Sequence, residues 1–263
     1  MYQDILNHIK EADYVLVGVG EEFQVNFLDM PKNPKYSHIM SKVAQQEKYD
    51  WVQSYLIHDY IRQNNFEELQ NAYENLSEIL REKDYFVVST CVDDLIRNSS
   101  IDQKRLVTPC GSFYNMQCEK NCGVDVEYGE PVALDVTREI FKNPNELGNV
   151  MRPTCEKCGA HFVFNTVYEE NYDEKGYQED WKNYSEWLQK TVNCKLVLLE
   201  LGALMTYPSV IRWAFEKTSY FNKKSTFYRV NTSIYQLSEQ TENRGKGIKM
   251  NPIQFLKECV AEN

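Results

Sequence analysis

The chain has 263 residues, of which 42% are hydrophobic and 13% aromatic, enough for one large domain or for a main domain with a smaller one inserted. Its formal net charge of −10 repels nucleic-acid phosphates and anionic lipid surfaces, which leaves small molecules and other proteins as partners. No apolar run approaches the roughly 20 residues of a bilayer span, and the N-terminal MYQDILNHIKEADY has neither a basic region nor a small-residue cleavage site, so a cytoplasmic protein is expected.

Residues 2–11 predict a short helix with Ile5, Leu6 and Ile9 on one face. Tyr14 to Val17 is a buried-strand run ending in Gly18-Val19-Gly20, the way nucleotide-binding α/β domains begin. Residues 28–65 have mixed periodicity. Residues 66–82 predict an amphipathic helix carrying Phe66, Leu69, Tyr73, Leu76 and Leu80. Tyr85 to Ser89 is a second strand, opening into a polar turn at Cys91-Val92-Asp93-Asp94. Residues 166–187, acidic and tyrosine-rich, read as a solvated loop with a short helix. Leu196 to Glu200 is a third strand, followed by Gly202 and a helix near Val210 to Lys217. Phe227 to Val230 is a fourth strand, and Pro252 opens a last helix at 252–260.

Strands and helices alternate at both ends of the chain, and a cysteine-rich stretch interrupts the middle. The predicted fold is α/β: a Rossmann-like parallel-sheet part from 1–28, 84–117 and 190–263, a helical segment at 29–83, and an inserted zinc-ribbon module at 118–189.

That module holds a C-x3-C pair, Cys118 and Cys122, then 32 residues, then a C-x2-C pair, Cys155 and Cys158. Zinc takes four tetrahedral thiolate or imidazole ligands, and two close-spaced pairs on tight turns supply them. Gly123 and Gly159 directly follow the pairs. A closed four-ligand site is structural. His161 is the one neighbouring residue able to replace a ligand, and unrelated buried cysteines are the bland alternative.

The order of these features resembles the sirtuin family throughout the chain. It runs from a strand with a Gly-x-Gly turn to a strand ending near Val92-Asp93, a Gly-aromatic step, two cysteine pairs, a strand ending in Gly202, and a strand ending in Arg229-Val230-Asn231. The segments DQKRL at 102–106, RPTCEKCGAHFVFN at 152–165 and YPSVIRWAFEK at 207–217 resemble the microbial branch linked to macrodomains and protein ADP-ribosylation. The resemblance implies a cleft for NAD and a protein substrate between the two parts, with Gly18, Val19, Gly20, Asp93, Gly202 and Asn231 at the cofactor. It places Cys110, Asp93 and Cys91 at the catalytic positions.

The departures fall in the chemical motifs. Glu21 and Glu22 follow the first turn and put two carboxylates where two phosphates would sit, although the turn also suits a plain strand-to-helix connection. Cys91 stands where the family has an asparagine, and a thiol is a poor donor and acceptor. Asp93 matches the nicotinamide-recognising aspartate, and it also suits a helix N-cap. Cys110 replaces the basic histidine; with an ordinary value of about 8.5 it is mostly protonated, and a buried small residue is the alternative. Ala203 and Leu204 replace two hydroxyl residues. Asn231 matches a ribose ligand or serves as an ordinary turn residue. Two functions follow: an NAD-dependent transferase favouring ADP-ribosyl transfer over lysine deacetylation, or a catalytically degenerate relative that binds a nucleotide or a protein.

Overall fold

The computed structural model describes residues 1–262. Apolar runs buried on both sides become the strands of a parallel sheet. These are β1 (Tyr14–Val19), β2 (Asp84–Ser89), β3 (Leu106–Val107), β7 (Leu196–Leu201), β8 (Ser225–Asn231) and β9 (Gly245–Lys249), in the order β3-β2-β1-β7-β8-β9. Every neighbouring pair is parallel. The four predicted strands are the central four, and β3 and β9 add the two edges.

Side chains alternate between the two faces, as the strand period of two requires. In β1, Val15, Val17 and Val19 face one core, which also holds residues of α1 (Tyr2–Glu11), α4 (Glu67–Leu80) and α8 (Pro252–Ala261). Leu16 faces the other, with Tyr184 and Trp187 of α6 (Gln178–Lys190) and Phe215 of α7 (Arg212–Phe221). Helix α8 starts where expected: Pro252 occupies its first turn, and the Asn251 side chain accepts from the N–H groups of Ile253 and Gln254 at 2.9 and 3.2 Å.

Three details refine the sequence expectation. The stretch at 166–187 is a loop followed by a helix, as expected, and α6 begins within it and runs for 13 residues. Tyr184 and Trp187 anchor that helix on the sheet, with Trp187 Nε1 donating to Asp84 at 2.7 Å. The mixed region at 28–65 contains α2 (Pro34–Val43) and α3 (Trp51–Gln63). The polar turn at 91–94 is buried.

The smaller part is built on an antiparallel sheet ordered β5-β4-β6, from β4 (Gly111–Cys118), β5 (Glu127–Tyr128) and β6 (Phe162–Thr166). Helix α5 (Glu130–Lys142), in the long stretch between the cysteine pairs, packs on α3, and α3 packs on α2 and β4. No helix among the described residues is long and apolar enough to cross a membrane.

Candidate functional site

Strand β4 starts directly after Cys110 and ends in the first cysteine knuckle, so one element connects the two groups of candidate residues. Cys118 ends β4, and a turn with Asn121 at φ 46° brings Cys122 back beside it. The second knuckle closes through Gly159 N–H to the Cys155 carbonyl at 2.8 Å and Cys155 N–H to the Ala160 carbonyl at 2.7 Å. Gly123 and Gly159 take φ of 86° and 72°, values that favour glycine. The four Sγ atoms lie within 4.8 Å of one another, with Cys118 3.5 Å from Cys158 and Cys122 3.6 Å from Cys155. Tetrahedral bonds of about 2.3 Å set sulfurs about 3.8 Å apart, so this cluster can hold a metal ion. Burial works against an ionised Cys118, yet the N–H groups of Lys120 and Cys122 and the neighbouring sulfurs outweigh it and lower the thiol to about 7. His161 stays out of the cluster of four.

The chain steps from β1 to β2 on one side and returns through β7 on the other, which makes the β1/β7 junction the switch point where open α/β sheets bind ligands. Gly18 and Gly20 lie here for packing reasons. A Cβ on Gly18 would sit 2.5 Å from Ile211, and one on Gly20 would sit 2.1 Å from the Ala203 Cα. The close approach that Gly20 permits is thus to the turn after β7. Val19 is fully buried, and its carbonyl accepts from Thr90 N–H at 3.0 Å. Gly202 turns with φ 67°.

The polar groups at this edge are mostly engaged with one another. Glu21 accepts the Leu204 N–H at 2.8 Å, and Glu22 accepts the N–H and hydroxyl of Thr232. Asn231 is fully buried; it donates to the Ala203 carbonyl at 3.1 Å and accepts from Ser233 and Ile234 at 2.9 and 2.8 Å. Cys91 donates to the Gly20 carbonyl at 3.3 Å, and burial holds it well above its ordinary value as a thiol. The Thr90 hydroxyl is buried without a partner.

Asp93 accepts from Val25 N–H at 2.8 Å and from Leu95 N–H at 3.1 Å. It therefore braces the start of the 3-10 turn at Leu95–Asn98, whose N-cap position is Asp94, and also fastens the segment after β1 to the end of β2. Burial, opposed by those two N–H groups, raises its carboxyl to about 6. The folded state then binds this proton more tightly than the unfolded chain, whose ordinary value is about 3.9. The resulting penalty is fully present above about pH 6 and is relieved as pH falls towards 4. Asp93→Asn is expected to lack this component. The stability of the variant minus that of the native chain should therefore rise by on the order of 2 kcal/mol between pH 4 and 6.5. Urea midpoints at the two pH values measure it, and a constant difference would contradict the assignment.

Cys110 is 1% exposed, and burial, aided by Glu21, pushes it up to about 12. At neutral pH it is a thiol. Gly111 beside it takes φ 80°, where a Cβ would sit 2.1 Å from the Asn165 carbonyl. Tyr168, Tyr172, Tyr177 and Tyr207 lie within electrostatic reach of Cys110, and burial is the main cause that raises each phenol. Tyr168 accepts from Gln24 at 3.3 Å, and Tyr172 donates to the Pro109 carbonyl at 3.0 Å. These tyrosines join the site only through tertiary contacts, and no local spacing marks them.

Beneath the edge, Glu200 is fully buried between Arg212 and Arg229. One carboxylate oxygen accepts from both, at 3.2 and 2.8 Å. A lone charge inside LVLLEL is the sequence signal for such a cluster.

No family model matches the chain. A protein of Fusarium oxysporum f. sp. cubense described as a "probable bifunctional ADP-ribose hydrolase/ADP-ribosyltransferase" is 31% identical over 135 residues, which are 50% of this chain and 23% of that protein, so the match spans under a quarter of its length. A protein ADP-ribosyltransferase of Staphylococcus aureus (strain Mu50 / ATCC 700699) is 21% identical over 258 residues, 90% of this chain and 79% of its own. The solved structure of Sir2 with a p53 peptide and NAD+ superposes with a TM-score of 0.58 at 14% identity, covering 100% of this chain and 98% of the other. The resemblance in the strand and cysteine order thus holds across the whole architecture: this chain has the sirtuin fold.

Proposed function

We propose that this chain is an NAD-dependent protein-modifying transferase that passes ADP-ribose to a protein acceptor rather than deacylating lysine. The observation that carries this reading is the sirtuin fold over the full chain, with its switch-point crevice beside the cysteine-bearing module. The names of the fungal and staphylococcal relatives support ADP-ribosyl transfer. The thiol at Cys110 supports the choice against deacylation, since a group held at about 12 does not act as a base near neutrality. NAD, when bound, would supply the ADP-ribosyl group. The residues suit a dinucleotide in position but not in charge, because Glu21 and Glu22 already fill the donors of Leu204 and Thr232. Asp93 positions the segment after β1 through Val25.

The metal is assigned as structural zinc, on the four-thiolate donor set and its spacing. The cysteines occur as free thiols, in keeping with a reducing cytoplasm. Incubation with labelled NAD is expected to release nicotinamide and label an acceptor protein, without any acyl-lysine peptide. Cys110→Ala is expected to keep the release rate. No release at millimolar NAD would replace this proposal by a catalytically degenerate binding module, the reading that the saturated side chains of Asn231, Glu21 and Glu22 favour.

A further inference from the structure

The first turn beyond β7 presents the Leu204 N–H, and the first turn beyond β8 presents the N–H and hydroxyl of Thr232. Donors of this kind at strand ends form a cradle for an anion. In this chain the anion is already present. The Glu21 carboxylate lies 2.8 Å from the Leu204 N–H. The Glu22 carboxylate straddles Thr232, with its two oxygens 3.2 and 3.3 Å from the N–H and one of them also accepting the hydroxyl.

Neither contact is a chance surface pairing. Both glutamates belong to one short 3-10 turn directly after β1, and the partners lie 183 and 210 positions away in the chain. The turn is fixed by Gly20 N–H to the Leu201 carbonyl at 2.8 Å and Glu22 N–H to the Gly202 carbonyl at 3.0 Å. Gly202 has no Cβ where one would sit 2.6 Å from the Glu22 Cβ, so the glutamate stem lies flat across the turn. Asn231 accepts from Ser233 and Ile234 and thereby shapes the loop that aims the Thr232 donors at Glu22.

We infer that Glu21 and Glu22 are the specificity-determining residues of this crevice: they form an internal anion plug in its cradle, and a diphosphate-bearing ligand binds only by displacing both carboxylates. The inference rests on the crevice being a dinucleotide site. Three donors cannot serve two carboxylates and a diphosphate together, and the displaced carboxylates remain near enough to repel it. A ligand without phosphate meets no such competition.

Calorimetric titration of ADP-ribose, inorganic pyrophosphate and adenosine tests this on the native chain, E21A/E22A and E21Q/E22Q. Both diphosphates are expected to bind E21A/E22A at least about tenfold more tightly than the native chain. The amide pair keeps the size and an acceptor oxygen while removing the charge, so E21Q/E22Q should gain less. Adenosine should bind all three alike. The amide pair also covers the case in which E21A/E22A fails to fold, judged by its thermal transition. Unchanged or weaker diphosphate binding in the folded variants would overturn the plug, as would an equal gain for adenosine. Nicotinamide release by the native chain is the separate test of the transferase reading. A variant that binds ADP-ribose tightly while the native chain releases no nicotinamide would sink that reading and leave the plug standing.

Discussion

Cys155→Ser is expected to strip the metal and unfold the two cysteine knuckles while leaving both sheets in place. Native protein should carry one zinc per chain, and the variant should carry about none after dialysis, because a serine hydroxyl does not replace a thiolate ligand. The reason for the large effect is the size of the local core. Around the knuckles only Cys118, Cys155 and Ala160 are buried, with Cys122, Val124 and Phe162 packed partly against them. A cluster that small does not hold two tight turns by apolar burial, and small modules of this type depend on the ion. Apparent zinc-binding energies in isolated fingers reach roughly 10–16 kcal/mol, far more than the knuckle's own packing supplies. Four crowded thiols also cannot all ionise without a cation, and burial already opposes the Cys118 thiolate. Hydrogen exchange should therefore accelerate across residues 118–124 and 153–161 while β1 and β7 stay protected. Chelation of the native protein should reproduce the pattern. Full zinc content in the variant, with the knuckles still protected, would contradict the assignment.

How far the sequence reveals this molecule depends on whether a feature is local. The four-cysteine cluster was legible because both pairs sit on turns whose spacing is written in the chain. Strands β1, β2, β7 and β8 were legible because a strand covered on both faces reads as an unbroken apolar run. Strand β9 is GKGIK, and its place comes from pairing with Phe227–Asn231 rather than from its own composition. Helix α3 hid for the opposite reason. It buries Val52, Tyr55, Leu56, Ile57, His58, Asp59 and Ile61, so no single face carries the apolar period. In α6 only Tyr184 and Trp187 are buried within an acidic stretch, which is too few to set a period. At the crevice the sequence placed two carboxylates beside a phosphate position. Their partners, Leu204 and Thr232, are reached only through the folded sheet, and so are the tyrosines around Cys110.

Glu200→Ala is expected to lower the unfolding free energy by about 3–5 kcal/mol, a large part of the roughly 5–15 kcal/mol that holds a domain together. Burial keeps the Glu200 carboxyl above its ordinary value even with two arginines beside it. Desolvation thus outweighs attraction for the glutamate, and the ion cluster as a whole is not a large source of stability. Removing one member is a different matter, because Arg229 is 3% exposed, and it and the largely buried Arg212 lose the carboxylate they share. Arg229 keeps Glu216 at 3.0 Å, so the loss stops short of a fully unpaired cation. The effect should reach the crevice. Arg212 donates to the carbonyls of Ala203 and Ile234 at 3.0 and 2.9 Å, and Arg229 donates to that of Gln236 at 2.6 Å. Those carbonyls lie in the turns that follow β7 and β8, which also carry the Leu204 and Thr232 donors. The Leu204 and Thr232 amides should therefore exchange faster in Glu200→Ala, at denaturant concentrations where β1 amides remain protected. Glu200→Gln keeps an acceptor for both guanidinium groups and should lose less, since what it removes is the charge alone. A Glu200→Ala chain within about 1 kcal/mol of the native one would mean that solvent reaches the arginines, and the buried cluster would then have no part in setting the crevice edge.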